Sequence, residues 1–194
     1  MRRWLISLIL VLILSACQSG TPNVKEIDIY NSSADMIGTA KLSEQEGGVQ
    51  VKLEVNGLSP GFHGVHIHEF GKCEGPDFKS SGNHFNPDGK EHGLMHPEGS
   101  HIGDLPNIEA DSSGYAEAEL MADEATFTDG KNSLLKEDGT SLVITADKDD
   151  GVNQPGGKSG ERVACGIIKK DAKAKEGEEP TDPAELEEEE KEEE

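Results

Sequence analysis

Val49-Gln50-Val51-Lys52-Leu53-Glu54-Val55 alternates strictly between apolar and polar side chains. Successive side chains of a strand point to opposite faces, so this pattern predicts a half-buried antiparallel strand. Shorter stretches of the same kind predict strands over 24–30, 38–42, 64–70, 108–110, 115–121, 141–146 and 162–168. Turn chemistry lies between them, at Glu46-Gly47-Gly48, Ser59-Pro60-Gly61, Ser113-Gly114 and Asp138-Gly139. No long segment carries a helical period. Many strands with frequent turns predict an all-β sandwich or barrel. Two stretches break the pattern. Residues 71–106 are rich in Gly, Pro and His, and residues 147–161 are Gly-rich and charged. Loops this long in a compact domain are functional or disordered. The first carries His84, His92, His96 and His101, which argues against disorder.

The two ends read differently from the middle. Arg2 and Arg3 precede a largely apolar run from Trp4 to Leu14, too short to span a bilayer comfortably. Leu14-Ser15-Ala16-Cys17 then resembles the lipobox of bacterial lipoproteins. The resemblance implies a signal peptide over 1–16, cleavage before Cys17, and a diacylglyceryl group on its sulfur. An ordinary signal peptide with a cysteine near its cut site is the alternative. Residues 17–23 read as a lipidated tether, and the mature protein is expected at the cell membrane, lipid-anchored on the extracytoplasmic face. At the other end, residues 171–194 hold thirteen acidic side chains against three lysines. Self-repulsion and the lack of anything to bury predict a disordered acidic tail.

About 150 residues, 24–170, remain for one folded domain with a real core. The formal net charge of the chain is −21. Such a surface repels phosphates, so no nucleic-acid partner is expected. The oligomeric state is not legible. With Cys17 set aside for lipid, Cys73 and Cys165 form an even pair in an exported chain, where disulfides persist; two free thiols are the other possibility.

All seven histidines fall between residues 63 and 101. His66 and His68 are two apart on an expected strand, so both side chains share a face and can grip one ion. His84, His92, His101 and Asp104 offer three imidazoles and a carboxylate, a closed set that suits tetrahedral zinc. Histidines with few cysteines suit zinc or copper. His96 is expected to be an exposed loop histidine.

Four motifs now become specific. Gly61-Phe62-His63-Gly64-Val65-His66-Ile67-His68-Glu69 resembles the first signature of copper/zinc superoxide dismutases. His84-Phe85-Asn86-Pro87 is similar to that family's bridging-histidine segment, and His101-Ile102-Gly103-Asp104-Leu105 to its zinc-ligand end. Arg162-Val163-Ala164-Cys165-Gly166 resembles its second signature. The resemblance runs from about Val24 to Lys170. It implies an eight-stranded Greek-key β-barrel, an immunoglobulin-like sandwich with two long functional loops. It implies copper on His66, His68 and His84, zinc on His84, His92, His101 and Asp104, and a disulfide between Cys73 and Cys165. Arg162 would draw superoxide, the small-molecule substrate, and His84 would serve both ions. Asp149 would link His66 to His92, and His63 would be structural.

One position departs from the pattern. The family's fourth copper histidine comes four residues before the linking aspartate, and here Thr145 stands there. A hydroxyl is a poor copper ligand beside imidazole. Two functions therefore stand: a dismutase with a weakened copper site, or an inactive, zinc-stabilised lipoprotein that binds or buffers extracellular metal. A metal-free adhesion sandwich is disfavoured by the histidine spacings.

Overall fold

The computed structural model describes residues 24–170. The expected signal peptide over 1–16, the lipid site at Cys17, the tether over 17–23 and the acidic tail over 171–194 lie outside the described residues.

Among the described residues eight strands form in chain order: β1 (Val24–Asn31), β2 (Met36–Gln45), β3 (Gly48–Val55), β4 (Gly61–His68), β5 (Asp104–Ala110), β6 (Ala116–Asp123), β7 (Thr140–Thr145) and β8 (Arg162–Ile168). A single 3-10 turn, Lys79–Ser81, interrupts the long loop after β4. The sheet order is β5-β4-β7-β8-β1-β2-β3-β6, with every ladder antiparallel. β1 to β3 form a meander; the chain then crosses to β4, back to β6, and across again to β7. These are Greek-key connections, and β5 lies beside β6 so that the barrel nearly closes.

Alternation builds the core. β3 buries Val49, Val51, Leu53 and Val55, and turns Lys52 and Glu54 outward. Ile27 and Ile29 of β1, Ala40 and Leu42 of β2, and Leu142 and Ile144 of β7 join them. Each large aliphatic side chain fully buried contributes roughly 1.5–3 kcal/mol. The connection from β6 to β7 is a third long loop. It folds Phe127, Leu134 and Leu135 into the same core, sealing one end of the barrel.

β4 is the strand on which the chemistry depends. Val65 and Ile67 belong to the core, so His66 and His68 occupy the opposite face. All four are buried, because the long loops cover that outer face. β4 ends at His68, short of the expected Phe70.

β5 differs more from the sequence reading. It begins at Asp104, not Ile108, so Asp104 opens a strand instead of sitting within the loop. The sequence reading ends the long loop at residue 106, because 71–106 shows no strand period. The structure accommodates Pro106 with a bulge: His63 pairs with Ile108 and Val65 with Leu105, leaving Pro106 and Asn107 opposite Gly64 alone. A proline that cannot donate to the ladder is tolerated at such a place.

Cys73 and Cys165 are bonded, with Cα atoms 5.7 Å apart. The bond ties the loop after β4 to β8, and Phe78 packs with Val143 and the two cysteines beneath it.

Candidate metal centre

The loop carrying His84 returns to β4 through main-chain bonds. Phe85 N–H donates to Ile67 O at 2.7 Å, Ile67 N–H to Gly103 O at 2.8 Å, and Gly103 N–H to Phe85 O at 2.9 Å. This triangle joins three segments that carry His66 and His68, His84, and His101 with Asp104. Gly103 is required at its centre. A Cβ there would lie 2.2 Å from Ile67 O and 2.8 Å from Phe85 N.

Three of the predicted imidazoles converge on one carboxylate oxygen of the fourth predicted side chain. Asp104 Oδ1 faces His84 Nδ1 at 2.8 Å, His92 Nδ1 at 3.0 Å and His101 Nδ1 at 3.2 Å. Asp104 Oδ2 accepts from Gly93 N–H at 2.8 Å and His101 N–H at 3.2 Å. The ligand atoms of His84, His92, His101 and Asp104 all lie within 4.8 Å of one another. The same holds for His66, His68 and His84, so His84 belongs to both groups. The rings of His66 and His84 stack at 4.0 Å.

Asp149 joins the two groups from behind. Its Oδ2 accepts from His66 Nε2 at 2.8 Å, and its Oδ1 from His92 Nε2 at 3.0 Å. Those partners decide which ring nitrogen is left free. His66 gives Nε2 to Asp149, and its buried Nδ1 has no partner. His68 gives Nδ1 to Gly82 O, and its buried Nε2 has none. His101 gives Nε2 to Lys90 O, and its Nδ1 is likewise without a hydrogen bond. Burying such atoms unpaired is costly. Each belongs to one of the two converging groups, which is the arrangement metal ligands require. The donor sets fit the ions: three imidazoles and a carboxylate for zinc, and a cluster of imidazoles for copper.

The electrostatics agree. Burial, with the neighbouring His84, pushes His68 well below the ordinary imidazole value. Burial also lowers His84, to about 4. Neutral imidazoles can bind metal. His92 goes the other way: burial lowers it, but its bonds to Asp104 and Asp149 prevail and raise it to about 9. Burial favours protonation of Asp104, yet the facing imidazoles and the Gly93 amide hold it far below the usual carboxylate range. Asp149 is depressed in the same manner by His66 and His92.

An open cleft of about 470 Å³ leads to the groups, lined in part by His68, His84, His101, Thr145, Gly156 and Arg162. Arg162 is held by the disulfide-tethered loop: Nη1 donates to Phe78 O and Ser81 Oγ, both at 2.9 Å, and Nη2 to Gly82 O at 2.8 Å. Thr145 is buried, its Oγ1 lying 3.1 Å from Asp147 O and 3.2 Å from Gly64 O. His63 joins neither group. It spans Thr145 O and Ser59 O, each at 2.7 Å, and so ties β7 to the turn before β4. His96 also stays outside both groups, its ring receiving a long contact from Glu98 N–H.

Sequence reasoning missed three supporting side chains. Glu69 Oε1 accepts from the main-chain and side-chain amides of Asn83, bracing the approach to His84. Asn107 and Gln154 bond to the main chains of Asp149 and His92. Asn, Gln and Glu in loops are common, and no local pattern marks these.

An antiparallel Greek-key barrel with two histidine-rich groups sharing one imidazole defines a metal-binding β-barrel. A sequence model of the copper/zinc superoxide dismutase family matches residues 36–168. A copper/zinc superoxide dismutase of Aquifex aeolicus is 47% identical over 144 residues, covering 73% of this chain and 85% of the relative. The superoxide dismutase-like protein YojM of Bacillus subtilis is 37% identical, covering 73% of this chain and 74% of the relative. In three dimensions, a double mutant of a SOD-like protein from Bacillus subtilis superposes with a TM-score of 0.72 at 37% identity, covering 75% of this chain and 97% of that one. The chain belongs to the copper/zinc superoxide dismutase family. The family acts on superoxide and implies copper and zinc.

Proposed function

We propose that this chain is a dismutase that converts two superoxide anions and two protons to hydrogen peroxide and dioxygen. His84, His92, His101 and Asp104 would hold zinc, and His66, His68 and His84 would hold copper. The observation that carries this reading is the sharing of His84 by two converging groups at the foot of a cleft walled by Arg162. Copper, when bound, supplies the one-electron couple that the side chains lack. The chain's own residues do the rest. Arg162, fixed by three acceptors, offers a positive charge in an otherwise strongly acidic protein and draws the anion inward. His84 turns Nδ1 to Asp104, so Nε2 is the ring nitrogen left to take up a proton from solvent and pass it to the reduced oxygen. Asp149 keeps the rings of His66 and His92 in one orientation.

Thr145 favours a second reading, a zinc-stabilised barrel without turnover that binds or buffers metal. In the family pattern a fourth copper histidine stands at this position. Here the hydroxyl is engaged with Gly64 O and Asp147 O, and a Cβ on Gly64 would already lie 2.6 Å from it. Elemental analysis of protein purified without added metal, with pulse radiolysis of copper-loaded protein, separates the readings. Stoichiometric copper and a rate above that of aqueous copper support the dismutase. Zinc alone, and a rate no better than the free ion, support the second reading. A Thr145→His variant that gains both copper and turnover would place the defect at this residue.

The same reading puts the mature protein on the outer face of a membrane through Cys17, on the strength of the Leu14-Ser15-Ala16-Cys17 motif. Labelled fatty acid should enter the wild-type chain and not a Cys17→Ser chain; equal labelling would remove the anchor.

A further inference from the structure

Two carboxamides clasp the ends of the bridge behind the metal groups. Asn107, freed by the bulge in β5, accepts from Asp149 N–H and donates to Asp149 O, both at 2.8 Å. Gln154 accepts from His92 N–H at 2.8 Å and donates to His92 O at 2.9 Å. Each amide thus meets both main-chain groups of one residue, the pattern a neighbouring strand would offer. Between the two clasps runs the 3.0 Å bond from His92 Nε2 to Asp149 Oδ1.

His92 stands in irregular chain, so no ladder fixes its main chain. The loop over 147–161 does so instead, through a side chain 62 residues away. The two loops also meet with no space to spare: a Cβ on Gly93 would lie 2.1 Å from Gly151 O, and one on Gly157 would lie 1.7 Å from Asp149 Oδ1 and 2.9 Å from His92 Nε2. The 147–161 loop also supplies Gly156 and Ser159 to the cleft wall.

We infer that Gln154 is a positioning residue for zinc, which sets the orientation of His92 through its main chain and joins filling of the zinc group to closure of the 147–161 loop over the cleft. This rests on the reading that His84, His92, His101 and Asp104 hold zinc. Gln154 touches no reacting atom in this scheme. Its amide replaces the strand partner that His92 lacks, so its loss should loosen one ligand of four and one wall of the cleft together. Asn107 performs the equivalent task for Asp149 from the rigid side, since it belongs to β5.

The test uses the full chain with Gln154→Ala, and Gln154→Glu as a second variant that retains an acceptor for His92 N–H but sets a carboxylate oxygen against His92 O. Zinc affinity is measured by competition with a chromophoric chelator. Ligand geometry is read from the visible absorption of cobalt(II) at the same site, and loop closure from amide hydrogen exchange. Gln154→Ala should lose about 10–100-fold in zinc affinity, the loss typical of removing a group that orients a ligand. Its cobalt(II) bands should shift, and exchange should quicken within 147–161 while β3 and β6 are unchanged. Gln154→Glu should show the same changes in the same direction. Wild-type zinc affinity and an unaltered cobalt(II) spectrum in both variants would overturn the inference while leaving the zinc reading intact. Failure of the wild-type chain to bind zinc would overturn the zinc reading and this inference with it.

Discussion

Replacing Gly103 with alanine tests whether the main-chain triangle holds the metal groups together. Gly103 has an ordinary φ, so alanine brings no conformational penalty of its own. The whole effect is steric. The new methyl group would sit 2.2 Å from Ile67 O, about 1 Å inside ordinary van der Waals contact. Ile67 is buried in the core, and the flanking bonds of 2.7 to 2.9 Å leave no slack, so the segments must separate. Three bonds are weakened together. At a net 0.5–1.5 kcal/mol each, the loss should be about 1.5–4.5 kcal/mol before any cost of overpacking is added. For a domain of this length that lowers the melting temperature by roughly 5–15 °C. Separation also pulls His84 away from Asp104, so zinc affinity should fall alongside stability. Calorimetry of metal-free protein and a chelator competition measure the two effects. A melting temperature and a zinc affinity both equal to wild type would refute the argument that this contact is filled to its limit.

Zinc uptake should release about one proton near pH 7, because His92, raised to about 9, is protonated before the metal arrives. Calorimetric titrations in two buffers of different ionisation enthalpy would reveal it, and identical heats would contradict it. In metal-free protein the same residue stabilises the fold fully below the unfolded imidazole value, about 6.5, and that share is lost as pH rises towards 9. Asp104 and Asp149, both depressed, act in the opposite sense: their share is present above about pH 4 and is lost as pH falls. Buried His68 and His84, both lowered, also lose stability as pH falls below about 6.5, so melting temperatures of metal-free protein should decline on both sides of a maximum near pH 6.5, and a plateau from pH 6 to pH 9 would count against the His92 assignment. Reducing the Cys73–Cys165 bond frees a loop spanning 92 positions, which should cost about 4–5 kcal/mol by chain entropy. Urea unfolding with and without reductant checks this, and coincident midpoints would contradict it.

The parts of the fold that were legible in the sequence are those governed by local period. β3 alternates because one of its faces meets the core, and its expected limits of 49–55 differ from the observed strand by one residue. β4 was legible for the same reason, and the shared direction of His66 and His68 followed from it. β5 was cut short because residues 104–107 carry no alternation, and only the pairing of Ile108 and Leu105 with β4 shows how a bulge takes up Pro106. The residues proposed to hold zinc were legible as a set of suitable types, not as a geometry. Their convergence depends on contacts across long separations, such as Gln154 with His92, which no local pattern encodes.

Under the proposed dismutase reading, the way Arg162 is held has a consequence for when its charge is in place. All three oxygens that hold its guanidinium belong to the segment from Phe78 to Gly82, which a sulfur–sulfur bond anchors to the guanidinium's own strand. A freshly made chain in a reducing environment has no such anchor, and its attracting charge is free to wander. Oxidising surroundings fasten the segment, and with it the charge, at the mouth of the cleft. On that reading, the guanidinium is set in place only where the sulfur–sulfur bond can form.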